Sequence, residues 1–154
     1  ARRRRWPMIA HTILLVEDNA DDEFLTLRAF AKNAIANPLA VARDGLEALD
    51  YLLAQGRYAG RIGGLPLLVL LDLKMPRLDG LETLRAIRAD PRIAAVPVLI
   101  LTSSRAAVDV EGAYAAGANG FVQKPVEFDE FVNVTRAIGQ FWLLTNVPPS
   151  GTDR

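Results

Sequence analysis

The sequence lacks cysteine and has a single histidine, His11, among its 154 residues. Without cysteine the chain has no disulfide framework, no thiolate nucleophile and no thiolate metal site. One histidine gives no convincing Ser-His-Asp arrangement, and His11 precedes the first predicted strand, where we expect an exposed side chain. Any metal site in this chain must therefore be built from oxygen ligands.

Long apolar runs and net charge are also missing. No run approaches the ~20 residues of a membrane span. None follows Arg2–Arg5, so we do not expect the start to act as a signal peptide. The formal net charge is zero, which disfavours non-specific binding to nucleic acid. We expect a cytoplasmic protein with neither a nucleic acid nor a membrane as partner. Residues 1–10 should form a disordered basic tail, 11–147 one domain, and 148–154 a second disordered tail.

The residues that are present favour a buried sheet, since 51% of them are hydrophobic. Apolar runs and helical spacing alternate five times, which predicts an α/β fold: a doubly wound, five-stranded parallel sheet with five helices. The predicted strands are about Thr12–Glu17, Leu39–Ala42, Leu67–Asp72, Pro97–Thr102 and Gly120–Gln123. The predicted helices are about Asp21–Ala36, a second from Gly45, Gly80–Ala89, Arg105–Ala116 and Glu127–Thr145.

Two helices carry more detailed expectations. In the first, Phe24, Leu27, Ala31 and Ile35 recur at helical spacing, and Phe24, Leu27 and Phe30 are predicted to lie in the core. In the third, Arg85 and Arg88 are predicted to be solvated. Between the second helix and third strand, the long Gly/Arg loop over Gln55–Pro66 reads equally well as a surface insertion or as a partner-contacting loop.

Charged and polar side chains end several predicted strands. Glu17 and Asp18 end or follow the first, Asp72 ends the third, Thr102 ends the fourth and Lys124 follows the fifth. Carboxyl ends of parallel strands share the sheet edge at which ligands bind. Three carboxylates held together raise one another's pKa and favour a hard cation, best Mg²⁺. Acids, metal, ammonium and hydroxyl together suit a phosphoryl group.

Each of these residues also has an ordinary interpretation. Asp72 alone could cap a helix, Glu17 and Asp18 could be an acidic helix start, and Lys124 could be a surface lysine. Their common position at one predicted edge favours a site over these separate interpretations.

The motifs as a set resemble the receiver domain of bacterial two-component response regulators, over about Ile13 to Trp142. That resemblance implies a flavodoxin-like receiver fold and a sensor histidine kinase as partner. The motifs are Val-Glu-Asp-Asn at 16–19, Leu-Leu-Asp-Leu-Lys-Met-Pro at 70–76, Asp79-Gly80, Leu-Thr-Ser-Ser at 101–104 and Lys124-Pro125.

A narrower resemblance is to the stand-alone regulators that serve phytochrome-type kinases. It rests on the acidic run at 17–22, the long Gly/Arg loop and the Phe-Trp-Leu-Leu ending at 141–144. It implies a phytochrome as the kinase and a homodimer.

The resemblance also implies residue roles. Asp72 would be the phosphoacceptor, and the protein a signalling protein rather than an enzyme. Asp18 and Asp72 would bind Mg²⁺ with the backbone carbonyl of Lys74, and Glu17 would act mostly through water.

The remaining implied roles concern the fourth and fifth strands. Thr102 would bond phosphoryl oxygens, Lys124 would neutralise their charge, and Phe121 would be an aromatic switch coupled to Thr102. The peptide between Lys124 and Pro125 would be cis, an isomer that proline makes accessible.

Two other functions are less consistent with the sequence. An aspartate-nucleophile phosphatase needs a second acid two residues beyond the nucleophile, where this chain has Lys74. A flavodoxin-like nucleotide-binding module needs a glycine-rich turn after the first strand, where residues 17–21 are acidic.

The fifth helix carries more large apolar residues than one packing face can bury. Phe141, Trp142 and Leu144 are the candidates for a homodimer contact through helices four and five. The alternative is that Val147–Pro149 fold back and cover them within one chain.

Overall fold

A computed structural model describes residues 12–35, 37–62 and 64–152. The predictions of a basic tail over 1–10 and of an exposed His11 lie outside the described residues.

Five parallel strands form one sheet in the order β2-β1-β3-β4-β5, which confirms the predicted doubly wound architecture. Val16 pairs with Leu71, and Leu71 pairs with Ile100, so neighbouring strands end nearly level. The strands are β1 (Ile13–Val16), β2 (Leu39–Ala42), β3 (Leu68–Leu71), β4 (Val98–Thr102) and β5 (Gly120–Gln123).

Five α-helices cover the two faces of this sheet. A short 3₁₀ turn at Gly56–Tyr58 lies in the long loop, and a π-helical segment at Gly139–Thr145 continues the last helix. The helices are α1 (Ala20–Lys32), α2 (Gly45–Leu53), α3 (Gly80–Ala89), α4 (Ala107–Ala115) and α5 (Phe128–Ile138). No helix in the described ranges is long and apolar enough to cross a membrane.

Alternate residues of each central strand enter two separate hydrophobic cores. Leu14 and Val16 pack with α2, α3 and α4, whereas Ile13 and Leu15 pack with α1 and α5. Successive side chains of a strand point to opposite faces. Because both faces are covered, the strands are apolar throughout, as expected for a parallel sheet.

The inward face of α1 differs from the prediction. Phe24 is 59% exposed and lies against the Arg28 guanidinium. Phe30 is buried as predicted, together with Thr26 and Ala29. The helix also ends at Lys32 rather than near Ala36, because Ala34 takes a left-handed φ of 55°. Apolar spacing alone placed Phe24 wrongly, whereas Ile35 packs against the same core as Phe30.

Arg88 is not solvated as predicted. Its guanidinium donates to the carbonyls of Ala94, Val96 and Gly117 and to the side chain of Asn119, at 2.6 to 3.0 Å. Burial lowers its pKa. Arg88 therefore ties the end of α3 to the segments that precede β4 and β5.

The C-terminal segment also differs from the expectation of a disordered tail. The N–H of Leu65 donates to the carbonyl of Gly151 at 2.9 Å, and the Thr152 side chain is buried. Gly151 and Thr152 thus contact the chain that leads into β3.

Candidate functional site

The sheet's carboxyl edge brings the predicted site residues together. Glu17 and Asp18 follow β1, Asp72 follows β3, and Lys124 follows β5. The N–H of Asp72 donates to the Val16 carbonyl at 3.2 Å, so the two acidic strand ends stay level. Because neighbouring parallel strands end at the same level, the residues that follow them lie close together at one edge of the sheet.

Lys124 forms the electrostatic centre of the edge. Its ammonium lies 2.6 Å from Glu17 Oε1, 3.2 Å from Asp22 Oδ2 and 3.7 Å from Asp72 Oδ2. The Lys124 side chain is 9% exposed and that of Glu17 is 1% exposed. The pair between Lys124 and Glu17 is therefore shielded from water, where such an interaction is strong, whereas Asp22 is 41% exposed.

Burial is the main electrostatic influence on Glu17. It raises the pKa of Glu17 to about 7, helped by the charge of Asp72 and opposed by the bond from Lys124. The mutual repulsion expected from the sequence is thus present but smaller than desolvation. For Lys124, burial opposes the charged form, yet the bond to Glu17 and the surrounding carboxylates outweigh it and raise its pKa.

Three carboxylates at this edge form a candidate divalent-metal site. Glu17, Asp18 and Asp72 each offer an oxygen within 4.8 Å of the others. Asp18 is exposed, whereas Glu17 already accepts from Lys124 and from the Asn19 N–H at 3.2 Å. Oxygen donors of this kind fit a hard cation at about 2.1 Å. Asp18 and Asp72 are the freer ligands, and Glu17 is placed to act through water.

The Asp79-Gly80 motif supports the backbone of Asp72. Asp79 and Glu82 form a reciprocal capping box at the start of α3. A Cβ at Gly80 would lie 2.3 Å from the Asp72 carbonyl oxygen. Only glycine lets the helix start this close to the strand end, so this motif fixes the position of the central carboxylate.

Thr102 and Phe121 lie on neighbouring strands and the same side of the sheet. Phe121 pairs with Ile100 and packs, partly buried, against the core that contains Ile100. Thr102 is two residues beyond Ile100, so it points to the same face. Thr102 is fully buried, and its hydroxyl is 3.5 Å from the Ser104 N–H.

The expected cis peptide between Lys124 and Pro125 is not found, since no described peptide bond is cis. Proline lowers the preference for trans to about 0.5–1 kcal/mol without removing it. The cis isomer that the resemblance implies is therefore a prediction that the described residues do not bear out.

The structure adds two acids that sequence reasoning did not assign. Asp22 lies in the first turn of α1, and its carboxylate reaches the Lys124 ammonium at 3.2 Å. Asp109, on α4, lies 3.6 Å from the Lys74 ammonium. No sequence pattern pointed to Asp109, because α4 has little amphipathic character and the contact joins distant segments.

Comparison with known proteins gives one family. Residues 13–136 match the family model described as the response regulator receiver domain. The probable methanogenesis regulatory protein FilR2 of Methanothrix harundinacea is 40% identical over 138 residues, which cover 89% of this chain and 86% of FilR2.

Two further relatives are response regulators. Rcp1 of Synechocystis sp. is 35% identical over 90% of this chain and 92% of its own. Its crystal structure with bound Mn²⁺ superposes with a TM-score of 0.82, at 34% identity, over 91% of this chain and 99% of that one.

The bacteriophytochrome response regulator AtBRR is 49% identical over 90% of this chain and 99% of its own, with a TM-score of 0.73. The family match covers every strand and the carboxylate edge described above. The chain therefore belongs to the response regulator receiver domain family, whose members are phosphoacceptor signalling proteins.

Proposed function

We propose that this protein accepts a phosphoryl group from a sensor histidine kinase onto Asp72, with Mg²⁺ bound beside it. The main support is that Glu17, Asp18 and Asp72 cluster at one sheet edge, where the buried ammonium of Lys124 lies close to Glu17 and Asp72. The Mn²⁺-bound structure of the similar Rcp1 supports a divalent metal at this kind of edge.

The residues divide the transfer among them. A carboxylate oxygen of Asp72 attacks the phosphorus of a phosphohistidine; the P–O bond forms as the P–N bond breaks, and the imidazole nitrogen keeps that electron pair. Lys124 offsets charge on the transferred oxygens, and Asp18 with the Lys74 carbonyl would hold the metal. Bound Mg²⁺ would supply Lewis-acid polarisation and orient the phosphoryl group.

The proposed signal begins at Thr102, the buried last residue of β4, the strand beside β3. Its hydroxyl would move toward the new phosphoryl oxygens and vacate space that Phe121 can enter. Both side chains lie on one face of β4 and β5, so the proposed movement would reach α4 and the surface.

The kinase is proposed to be a phytochrome. Support comes from AtBRR, a bacteriophytochrome response regulator that is 49% identical to this chain. FilR2, which is 40% identical, is described as a probable methanogenesis regulatory protein and not as a phytochrome partner. A direct phosphotransfer assay therefore tests which kinase phosphorylates this protein. When a phytochrome kinase carrying a radiolabelled phosphoryl group is incubated with this protein, the label should transfer to this protein. Equal transfer from unrelated kinases would contradict the phytochrome assignment.

We propose a homodimer through α4 and α5, in which the end of α5 and the π-helical segment supply Phe141, Trp142 and Leu144. Phe141 is half exposed, while Leu144 and Val147 are almost fully exposed, so Val147–Pro149 do not fold back over the patch. Trp142 packs against the core between the sheet and helices α1 and α5. We therefore expect it to contribute less to the dimer contact than Phe141 and Leu144.

The dimer is tested by sedimentation velocity. Phe141→Glu with Leu144→Glu should convert the wild-type dimer to a monomer. Ile62→Glu places the same charge at an exposed apolar residue of the long loop and should remain dimeric. A wild type that stays monomeric at high concentration, with and without phosphorylation, would refute the dimer.

Phosphorylation is tested by mass spectrometry after incubation with acetyl phosphate and Mg²⁺. The wild type should gain one phosphoryl group, and Asp72→Asn should gain none. Asp90→Asn makes the same chemical change beyond α3, where Asp90 pairs with Arg92 at the opposite end of the sheet, and should behave like the wild type. Equal gains in wild type and Asp72→Asn would refute the assignment.

A further inference from the structure

Asp109 connects two loops of the site to α4. Its Oδ2 accepts a hydrogen bond from Ser104 Oγ at 2.5 Å and lies 3.6 Å from the Lys74 ammonium. Ser104 follows β4 and Lys74 follows β3, so one carboxylate contacts segments on both sides of the phosphorylation edge.

The Ser104 contact fixes Asp109 at the start of α4. Ala106, the N-cap, has no side-chain acceptor of its own, and its N–H instead donates to Ser104 Oγ at 3.3 Å. A carboxylate in the first turn is also favoured by the helix dipole. The position of Asp109 is therefore set by the helix, and Lys74 is the mobile partner.

Lys74 can reach the phosphorylation site. It follows Asp72 by two residues, so their Cα atoms are at most about 7 Å apart, and its side chain is 71% exposed. A cavity of about 260 Å³ lies beside it, lined by Leu73, Met75, Asp79 and Leu81 together with this ion pair. The ammonium has both the length and the room to contact either Asp109 or oxygens on Asp72.

We propose that Asp109 is a positioning residue that holds the Lys74 ammonium away from a phosphoryl group on Asp72 and so shortens the life of the phosphorylated state. This inference rests on the proposed function. A phosphoryl group carries about two negative charges, of which Lys124 and a bound metal offset a large part. The Asp109 carboxylate therefore competes for Lys74.

The lifetime depends on access of water to phosphorus. In hydrolysis the water oxygen bonds to phosphorus, the bond from phosphorus to Asp72 breaks, and the carboxylate keeps its electron pair. The water loses a proton to solvent, and inorganic phosphate leaves. An ammonium paired with the phosphoryl oxygens places the Lys74 side chain over this approach, whereas pairing with Asp109 leaves it open.

The test uses two substitutions and their combination. Asp109→Asn keeps an oxygen that accepts from Ser104 but removes the charge that holds Lys74. Lys74→Met removes the ammonium and keeps the backbone carbonyl. Each protein is phosphorylated with acetyl phosphate and Mg²⁺, the donor is removed, and the phosphorylated fraction is followed by mass spectrometry.

We expect Asp109→Asn to lengthen the lifetime about two- to fivefold, the size of one exposed charge interaction. Lys74→Met gives the reference lifetime of a protein without the ammonium. In the Lys74→Met background, Asp109→Asn should have no further effect. Glu111→Gln removes the same charge from an exposed position of α4 and should leave the lifetime unchanged.

Two results would overturn this inference while leaving the proposed function intact: a wild-type lifetime in Asp109→Asn, or a lengthening that persists without Lys74. The second would show that Asp109 acts through the helix rather than through the ammonium. A wild type that is never phosphorylated would overturn the proposed function, and with it this inference.

Discussion

Two lysines at the same sheet edge form ion pairs that differ in how far they are buried. Lys124 is buried among Glu17, Asp22 and Asp72, whereas the exposed Lys74 lies near Asp109 at 3.6 Å. Removal of the buried ammonium would leave the buried carboxylates of Glu17 and Asp72 without a counter-ion. The exposed one exchanges partners at little cost, since water screens the pair. Burial therefore separates a lysine that maintains the site from one that can adjust its kinetics.

The largest expected effect compares the same substitution at both lysines. In metal-free buffer at pH 8, Lys124→Met should lower the free energy of unfolding by about 3 kcal/mol, because Glu17 and Asp72 lose their shared counter-ion. Lys74→Met should change it by less than about 0.5 kcal/mol. Urea unfolding measures both; equal losses would remove the distinction between the two regions.

A second prediction compares the carboxylates on the two sides of the edge by their effect on metal binding. A divalent ion that binds only the folded protein stabilises it by RT ln(1 + [L]/Kd), about 1.4 kcal/mol at ten times Kd. The wild type should show this gain with Mg²⁺, in a micromolar-to-millimolar range, and Asp18→Asn should lose most of it.

Asp109→Asn is the matched control, with the same chemical change on the Lys74 side of the edge. It should keep the full gain, because Asp109 is not among the three clustered acids. Thermal unfolding with increasing Mg²⁺ separates the two variants. If both lost the gain equally, the metal would not be confined to the Glu17, Asp18 and Asp72 cluster.

A third ion pair, between Arg77 and Asp44, is intermediate in burial between the two lysine pairs. Its loss should therefore change the free energy of unfolding by an intermediate amount. Burial works against the charged form of Asp44, but the hydrogen bond from the Glu47 N–H and the Arg77 guanidinium outweigh it and lower the pKa of Asp44. Asp44→Asn retains an acceptor for the α2 cap but loses the charge. We expect a loss of about 0.5–1 kcal/mol at pH 7.

The sign of its pH dependence follows from the lowered pKa. The charge of Asp44 stabilises the folded protein above the unfolded pKa, near the ordinary 3.8, and this contribution disappears as pH falls through the lower folded pKa. Urea unfolding between pH 7 and pH 3 should show wild type and Asp44→Asn converging below about pH 4. A constant difference down to pH 3 would contradict the assignment to charge.

Much of the fold was predictable from local patterns. The apolar runs ending at Val16, Leu71 and Leu101 required burial on both faces, and the alternation with helices left a parallel sheet as the consistent arrangement. The charged strand ends then had to meet at one edge. The family follows from the same motifs, and the comparison with known proteins confirms it.

Other features were not predictable because they depend on contacts between distant segments. Phe24 has the spacing of a core residue but faces solvent, and Arg88 looks like a surface residue but binds three carbonyls. In both cases the neighbouring elements decide which face of a helix is buried, and a helical period cannot specify those neighbours.

The sequence by itself determined which charges end the strands and that they share an edge, because strand direction and apolar patterning are local properties. Only the tertiary structure decided which charge pairs with which. Glu17 and Lys124 are 107 positions apart, yet they lie 2.6 Å from each other. The burial of that contact raises the pKa of Glu17 to about 7, since desolvation depends on what the rest of the chain packs around a group.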